Sequence, residues 1–392
     1  MKILHVTNSM NPAYGGLSAT LRSLVPALTA LGHPSEIVSL DEPEESFLPE
    51  IPAPVHALGP VRPGYGYSPR LRPWLEAAAG RFDAVIVHGL WQYHGLATHL
   101  AFAAGGRPRT FVFPHGMLDP WFRRQHPLKH LRKWFYWWLA ERRVLRGAAA
   151  VLFTCEEERR LARGSFPGSS YRESVVTFGI AAPPDDSAAQ RAAFLHRLPS
   201  LAGRPFWLFL GRIHPKKGVD LLIDAYAALS GHRRILPRLV IAGPCADSEY
   251  LRQLKQRAEI SCPAGNVLWP GMLEGDTKWG ALRSAAAFVL PSHQENFGVA
   301  VVEALACGTP VLISNQVNIW REIAEDATGL VEPDTVDGTL RLLSGYLALE
   351  DRAIHAMREA ARLSYRRRYE IGAVARSLVA TLAAPAHRRS QP

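Results

Sequence analysis

The chain has 392 residues, of which 47% are hydrophobic and 20% charged, and its formal net charge is +10. That length suits two domains of ordinary size, each with its own core. No run approaches the roughly 20 apolar residues of a membrane-spanning helix, and residues 1–10 are too polar for a signal peptide, so we expect neither an embedded nor a secreted protein. The cysteines have neither metal-ligand spacing nor a pairing pattern, which suits a reducing cytoplasm and implies no structural metal: Cys155, Cys245, Cys262 and Cys307.

A short strand predicted at residues 2–7 is followed by a glycine pair and then by an amphipathic helix. Gly15 and Gly16 allow the backbone to approach a ligand closely, because glycine has no Cβ. The pair also fits an ordinary tight turn between a strand and a helix. The residues alone therefore leave both interpretations open.

Two further predicted strands, residues 84–87 and 110–113, lead into histidines. His88 and Trp91 follow the first strand, and His115 follows the second. Open α/β sheets bind their ligands at the carboxyl ends of the strands, which makes these side chains candidates to line a pocket. The alternatives are a packed loop anchored by the tryptophan and a His115 whose hydrogen bonds are purely structural.

Residues 121–146 combine basic and aromatic side chains, with a single acid, Glu141. The five consecutive aromatic residues 134–138 cannot all face one side of a helix, so part of them should point outward. Basic aromatic helices favour anionic lipid surfaces, and we expect a peripheral contact with an anionic membrane. The alternative is that Trp134, Trp137 and Trp138 belong to a core. No nucleic acid is expected, because no nucleic-acid motif accompanies the charge.

Strand and helix patterns alternate in two blocks, as two doubly wound α/β domains require. The first predicted domain covers residues 1–180, a linker covers 181–203, and the second domain covers 204–365. The linker is indicated by the Ala-Pro-Asp-Ser composition of residues 181–187. A last helix is expected within residues 366–384 and a disordered tail at 385–392. The strands of the second domain are predicted near residues 206–211, 238–243, 266–271, 287–291, 310–314 and 329–332.

Two cations, Arg212 and Lys217, follow the first strand of the second predicted domain. They stand at its carboxyl end, where open α/β sheets bind ligands. Fixed positive charge at this place would stabilise a diphosphate leaving group. Two solvent-exposed charges are the alternative.

Glu295 and Glu303 stand eight positions apart, on either side of the start of an apolar helix at Val299. The order of strand, polar loop with Gly298, and helix places backbone N–H groups and the positive end of a helix dipole where an anion could sit. Burying an unpaired Glu303 would be costly, so we expect it to have a partner. A nearby arginine or the hydroxyls of a sugar would both serve.

These segments resemble the retaining GT-B glycosyltransferases of group 1, known as glycosyltransferase family 4. The stretch from Glu295 to Glu303 matches the E-x7-E motif of that family, with Phe-Gly after the first glutamate and Gly-Thr-Pro after the second. The Gly-Arg to Lys-Gly stretch at 211–218, the Gly-Gly loop and the His-Gly pair at 115–116 match as well. The resemblance covers most of the chain and is strongest over residues 204–333.

The resemblance implies a GT-B fold, in which two Rossmann-like doubly wound domains face each other across a cleft. The first domain would bind the acceptor and the second the nucleotide sugar, and the last helix would cross back to the first domain.

The resemblance also implies roles for individual residues. The diphosphate would be clamped by Arg212 and Lys217 and covered by Gly15 and Gly16. Glu295 would contact the transferred sugar and Glu303 the ribose. The loop with Met272 would lie against the base. The remaining donor-binding positions would be Asn296 and the backbone amides of Phe297, Gly298 and Val299.

On the acceptor side, the resemblance implies that His115 acts by positioning the reacting sugar rather than by abstracting a proton. Together with Glu295, Arg212 and Lys217 it makes up the expected catalytic set. His88 and Trp91 are the further expected acceptor-binding residues.

The function that follows is a retaining, metal-independent hexosyltransferase without a cofactor. It would move a hexose from GDP-mannose or a UDP-hexose to a glycan or lipid-linked oligosaccharide in exopolysaccharide, O-antigen or capsule biosynthesis. The departing diphosphate would help to deprotonate the incoming hydroxyl, while the cations and a helix N-terminus stabilise the developing charge. The expected location is the cytoplasm, at the cytoplasmic face of the inner membrane.

Other classes of function are distinguished by their motifs. A nicotinamide dehydrogenase would show G-x-G-x-x-G after its first strand, and a P-loop enzyme would have Ser or Thr after the lysine where this chain has Gly218. A GT-B nucleotide-sugar epimerase and a noncatalytic nucleotide-sugar-binding protein remain the alternatives.

Overall fold

The computed structural model describes residues 1–12, 16–61, 64–103, 108–121, 127–168, 170–231 and 235–385, with side chains from residue 131 onward in the fifth range. The chain divides into two compact units. The first comprises Met1–Ala181 and the chain from Glu370 onward, and the second comprises Ala182–Tyr369. Each unit is built around one parallel sheet.

The first unit holds a seven-stranded parallel sheet in the order β3-β2-β1-β4-β5-β6-β7. Its central strands are apolar runs buried on both faces, as expected for a parallel sheet covered by helices. The strands are β1 (Ile3–Val6), β2 (Ser35–Ser39), β3 (Val55–Ala57), β4 (Ala84–His88), β5 (Arg109–Phe113), β6 (Ala150–Phe153) and β7 (Glu173–Val175).

Helices connect these strands, and the last helix of the chain returns to this unit. The described helices are α1 (Gly16–Ala30), α2 (Leu71–Ala78), α3 (Tyr93–Phe102), α4 (Pro127–Tyr136), α5 (Arg142–Gly147) and α6 (Glu156–Ala162). A π-helical segment, Trp137–Glu141, joins α4 to α5.

The second unit holds a six-stranded parallel sheet in the order β10-β9-β8-β11-β12-β13. Each strand lies within one residue of its predicted bounds, because each is an apolar run between turn signals. The strands are β8 (Phe206–Leu210), β9 (Arg238–Ala242), β10 (Val267–Gly271), β11 (Ala287–Leu290), β12 (Val311–Ser314) and β13 (Gly329–Glu332).

The helices of the second unit precede and alternate with these strands. They are α7 (Ala188–Arg197), α8 (Val219–Ser230), α9 (Ser248–Ser261), α10 (Gly275–Ser284), α11 (Val299–Ala306), α12 (Trp320–Glu325), α13 (Val336–Leu347) and α14 (Asp351–Ser364). After α14 comes the π-helical segment Tyr365–Tyr369, and α15 (Ile371–Ala383) then packs against α1 of the first unit.

The stretch predicted as a linker, residues 181–203, contains a helix in the structure. Its middle forms α7, which begins where the Ser187 side chain accepts a hydrogen bond from the Gln190 N–H. The helix packs on α10, and the buried Phe194 contacts Phe206 of β8 at a ring distance of 5.2 Å. Local composition did not indicate this helix.

Both sheets confirm the predicted doubly wound architecture. In each sheet the strand order runs outward in both directions from a central pair, β1 with β4 and β8 with β11. Ligands of such sheets bind outside the carboxyl ends of the strands at this switch point. The residues that follow β4, β8 and β11 are therefore candidates for a ligand-binding site.

Candidate functional site

At the switch point of the second sheet, the loop after β8 approaches the end of β11. Pro215–Lys217 form a single 3-10 turn that ends at Gly218, whose φ of 65° is left-handed. A Cβ on Gly218 would overlap the carbonyl oxygen of Pro291, so only glycine allows this approach. The His293 N–H also donates to the Lys216 carbonyl at 2.8 Å. The two loops are thus fixed against each other.

This approach brings Lys217 into an ion pair with Glu295. Each side chain is only 19% exposed. Burial, together with the nearby positive charges of Arg212 and Lys216, lowers the pKa of Lys217 to about 8, so the ammonium is still protonated at pH 7. The result is a partly desolvated cation beside two further cations at the carboxyl end of β8.

The backbone of Glu295 is held by the segment that follows β12. Its N–H donates to the Gln316 carbonyl at 3.0 Å, and its carbonyl accepts from the Asn318 N–H at 3.0 Å. Glu295 therefore has a fixed position although it lies in a loop. The sequence patterns did not predict this support, because it depends on a pairing between distant segments.

Glu303 lies in the second turn of α11, which begins after the left-handed Gly298. Its Oε1 lies 2.9 Å from Nζ of Lys278 on α10, and the two side chains are 16% and 24% exposed. The expected partner of Glu303 is therefore present within the chain, and it is a lysine rather than an arginine. Sequence reasoning missed Lys278.

The remaining predicted donor residues are placed as follows. Met272 comes directly after β10, an edge strand, and is 58% exposed. Phe297 is buried and meets Tyr369 edge to face, with ring centroids 5.8 Å apart, so its backbone is the part left to face a ligand. Gly16 is the exposed first residue of α1, while Gly15 lies outside the described residues.

At the switch point of the first sheet, His88 ends β4 and is hydrogen-bonded to two other histidines. Its Nε2 lies 3.0 Å from Nδ1 of His5 on β1, and its Nδ1 lies 3.0 Å from Nε2 of His115. A fourth histidine, His94, contacts the carbonyl oxygen of His88 through Nε2 at 2.9 Å. The structure thus brings the predicted His88 and His115 together and adds His5, which the sequence patterns did not indicate.

Trp91 and His115 both have left-handed backbone, with φ of 70° and 53°. Such conformations cost on the order of 1–3 kcal/mol for residues other than glycine and cluster at functional sites. Two buried carboxylates hold them in place. Glu141 accepts from the Trp91 N–H at 2.9 Å, and Glu158 accepts from the N–H of Gly116, which follows His115, at 2.5 Å.

The two carboxylates differ in how fully they are satisfied. Glu158 also accepts from the N–H and the hydroxyl of Thr154, each at 2.7 Å. In Glu141 the second oxygen has no hydrogen-bond partner among the described residues, and burial raises the pKa of this carboxyl to about 7. Trp91 itself donates through Nε1 to the Met117 carbonyl and packs against Phe166. These contacts anchor the Trp91 side chain in a packed loop.

The basic aromatic segment is divided between inside and outside. Trp137 is buried, stacks on Phe166 at 4.9 Å and donates to the Pro167 carbonyl at 3.0 Å. The core alternative is therefore correct for Trp137, whereas Trp134 and Trp138 are exposed. An aromatic face with helical spacing points outward, and its members are between 39% and 70% exposed: Leu131, Trp134, Phe135, Trp138 and Leu139.

Chemically, the carboxyl end of the second sheet offers cations for an anion and carboxylates for hydroxyl groups. No cluster of three or more His, Cys, Asp or Glu side chains that could hold a metal ion occurs within the described ranges. In those same ranges no helix is both long and apolar enough to cross a membrane.

Comparisons with known proteins agree with this arrangement. Residues 193–363 match the family "Glycosyl transferases group 1", and residues 15–179 match "Glycosyl transferase 4-like domain". The D-inositol 3-phosphate glycosyltransferase of Jonesia denitrificans is 30% identical over 224 residues, covering 54% of this chain and 53% of the relative. The O-antigen chain mannosyltransferase B of Escherichia coli is 30% identical over 168 residues, covering 42% and 43%. The chain thus spans about half the length of the curated relatives it matches.

Among solved structures, HepE of Anabaena in complex with UDP and glucose superposes with a TM-score of 0.71, covering 98% of this chain and 99% of that one. The sequence identity is 17%, so this likeness concerns the fold. Taken together, the two family matches and the two Rossmann-like units show that the chain belongs to the group 1 glycosyltransferases of the GT-B fold, with a glycosyltransferase 4-like first domain.

Proposed function

We propose that the protein is a retaining, metal-independent hexosyltransferase that uses a nucleotide-diphosphate sugar. The observation that carries the proposal is the ion pair of Lys217 with Glu295 at the switch point of the second sheet. It joins a partly buried cation, suited to a diphosphate, to a carboxylate suited to sugar hydroxyls. Arg212 extends the positive charge, and Glu303 adds a second carboxylate on α11.

In this proposal the second unit binds the donor. Lys217 and Arg212 neutralise the diphosphate, with the first amides of α11 and Gly16 as further donors of hydrogen bonds. Glu295 accepts from hydroxyls of the transferred sugar. Glu303 accepts from the ribose, and the base lies against the loop that contains Met272.

The proposed reaction is a front-face transfer without an enzyme nucleophile. The bond from the anomeric carbon to the diphosphate oxygen breaks, and the acceptor oxygen bonds to the same face. The acceptor proton passes to the departing diphosphate, whose developing charge is stabilised by Lys217 and Arg212. His115 positions the reacting sugar, and His88 and the anchored Trp91 support the acceptor side.

Two relatives support GDP-mannose or a UDP-hexose as the donor. The similar O-antigen enzyme is named a mannosyltransferase, and HepE was crystallised with UDP and glucose. Equilibrium titration with UDP-, GDP-, ADP- and dTDP-sugars tests this choice. We expect one base to bind at least tenfold more tightly than the others, and equal binding of all four would reject a specific donor.

Retention and metal independence have direct tests. Anomeric-proton NMR of the first product should show the same anomeric configuration as in the donor, and activity should persist in EDTA. An inverted product, or activity that is lost in EDTA and restored by a divalent cation, would reject the respective assignment.

A GT-B nucleotide-sugar epimerase and a noncatalytic binder remain the rival functions. An epimerase would convert the donor without any acceptor, and a binder would leave it intact. Acceptor-dependent release of the nucleoside diphosphate separates both from a transferase.

We further propose that the acceptor is a glycan or lipid-linked glycan at an anionic membrane, which the protein contacts through its aromatic face. The five apolar side chains of this face are exposed on one helical stretch and are flanked by cations. The one acid of residues 131–147, Glu141, is buried. Exposed apolar side chains beside basic residues match a layer of anionic lipid headgroups.

Vesicle co-sedimentation tests this contact. The double variant Phe135→Ser, Leu139→Ser should bind phosphatidylglycerol-containing vesicles roughly tenfold or more weakly, because two apolar side chains no longer leave water. Leu100→Ser, Ile260→Ser removes two exposed apolar side chains elsewhere and serves as the matched control. Binding should also weaken as salt increases. Failure of the wild type to bind anionic vesicles at low salt would reject the contact.

A further inference from the structure

Three imidazoles of the first unit, the buried His5 and His88 and the half-buried His115, form a hydrogen-bonded file across the switch point of its sheet. The file runs from His5 to His88 to His115, with both contacts at 3.0 Å. The rings of each pair are nearly parallel, with centroids 5.3 Å and 5.2 Å apart. The terminal nitrogens, Nε2 of His5 and Nδ1 of His115, are buried and have no hydrogen-bond partner among the described residues.

All three imidazoles are neutral at pH 7. Burial lowers the pKa of His5 and of His115 to about 3, and burial with the neighbouring histidines lowers the pKa of His88 well below its usual value. An imidazolium in the file would also lie against other imidazoles in a dry environment.

Neutrality restricts the file to two states, because each neutral imidazole carries a single N–H. If His88 donates through Nε2 to His5, its Nδ1 must accept, and His115 must donate through Nε2. If His88 donates through Nδ1 to His115, then His5 must donate through Nδ1. In both states the three residues share one tautomer. The tautomer of His5 therefore determines whether Nδ1 of His115 accepts or donates.

The surroundings keep the end of this file in place. Glu158 holds the backbone N–H of Gly116, and the His115 ring packs between Phe113 and Phe178 at centroid distances of 5.4 Å and 4.9 Å. A buried ring nitrogen without a hydrogen-bond partner destabilises the folded protein, whereas an apolar ring at the same place would not. A ligand hydroxyl at Nδ1 of His115 would remove that cost, whereas simple packing does not require a nitrogen there.

We propose that His5, His88 and His115 act as one tautomeric unit, in which His5 and His88 are positioning residues that set the hydrogen-bonding character of His115 Nδ1 toward a sugar hydroxyl. The identity of the hydroxyl rests on the proposed function. The shared tautomer does not. No net proton transfer is involved, because the unit stays neutral and keeps its three ring protons.

The test is a long-range ¹H–¹⁵N correlation spectrum of the full-length chain with ¹⁵N-labelled histidine at pH 7. This experiment distinguishes the two neutral tautomers from each other and from the imidazolium. We expect one common tautomer for the three residues, with no titration down to pH 5. Two different tautomers within the file, or an imidazolium at pH 7, would overturn the proposal. This measurement on the wild type needs no variant to fold.

The positioning role is tested with His5→Phe, which keeps a ring but removes the hydrogen bond to His88. We expect His115 to become a mixture of both tautomers and kcat to fall about tenfold or more, with the KM for the donor unchanged within about twofold. His94→Gln is the matched control, because the hydrogen bond of His94 is to the backbone carbonyl of His88 and not to its ring. It should leave the common tautomer intact. A His5→Phe variant with wild-type kcat and an unchanged His115 tautomer would reject the role.

The tautomeric unit and the proposed function can be rejected independently of each other. A common tautomer in a protein without transferase activity would support the unit and count against the proposed function. Transferase activity with mixed tautomers in the file would reject the unit alone.

Discussion

The ammonium of Lys217 is a partly buried cation at the proposed diphosphate site, where it is paired with Glu295. Lys217→Ala should therefore lower kcat about a hundredfold, or about 3 kcal/mol, the magnitude typical of removing one preorganised electrostatic stabiliser. Lys255→Ala changes an exposed lysine on α9 and is the control. Turnover within a few-fold of wild type would reject the assignment of Lys217.

The same lysine predicts a pH dependence of donor binding. Its pKa of about 8 lies well below that of a free lysine, so the charge that attracts a diphosphate is present below pH 8 and is lost as the pH rises above it. Donor affinity measured by titration should decline between pH 7 and pH 9. In Lys217→Met this decline in affinity should be absent. If the variant shows the same decline, a titrating group other than Lys217 causes it.

At the residue scale, the sequence predicted the positions of side chains better than their partners. His88 ends a parallel strand, and Glu295, Lys217 and His115 lie in the segments that follow such strands. Lys278, Glu158 and His5 were missed because each acts through a residue distant in sequence. Hydrophobic periodicity reports which face is buried, not which polar atoms meet there.

At the scale of elements, the strands followed from apolar runs between turn signals, whereas the helix that carries the aromatic face did not follow from periodicity alone. The π-helical segment Trp137–Glu141 widens the helix by one residue per turn and shifts the phase of everything after it. Trp137 and Glu141, at the two ends of this segment, both point inward.

This segment gives a stability prediction for Glu141. Burial raises its pKa to about 7, against about 4.3 when unfolded, so unfolding releases a proton between these values and rising pH favours the unfolded state. The wild type should lose about 3 kcal/mol between pH 4 and pH 7 from this group. Glu141→Gln keeps an oxygen for the Trp91 N–H and should lack that loss.

Denaturant unfolding of the two proteins across this pH range is the measurement. Parallel stability profiles for wild type and Glu141→Gln would show that Glu141 is not buried as described.

At the scale of the whole molecule, the chain returns to its first unit through α15. This helix buries Val374, Ala375, Leu378 and Leu382, and Arg109 of β5 donates to its Leu382 carbonyl at 2.7 Å. A chain that ends at Tyr369 should lose roughly 5 kcal/mol of stability in the first unit, from the lost burial of these side chains. A chain that ends at Pro385 keeps α15 and is the control. Equal thermal unfolding of both would contradict the packing.

The doubly wound architecture was predictable because it repeats one local pattern, an apolar strand followed by a helix. The start of the second unit was harder, since α7 precedes the first strand of its sheet and its composition resembles a linker. What packs α7 onto α10 is a tertiary contact between residues about 90 positions apart, such as Arg283 with Gln190 at 3.1 Å. No local window contains that information.

We propose that this chain transfers a sugar from a nucleotide-diphosphate donor held by Glu303 and Lys217. The most direct measurement is the release of nucleoside diphosphate by purified protein across UDP-, GDP-, ADP- and dTDP-sugars, in EDTA, with a bacterial membrane lipid extract as acceptor. We predict release from one donor that requires the extract and falls at least tenfold in Glu303→Ala. Release that does not depend on the extract, or that is unchanged in Glu303→Ala, would contradict the proposed function.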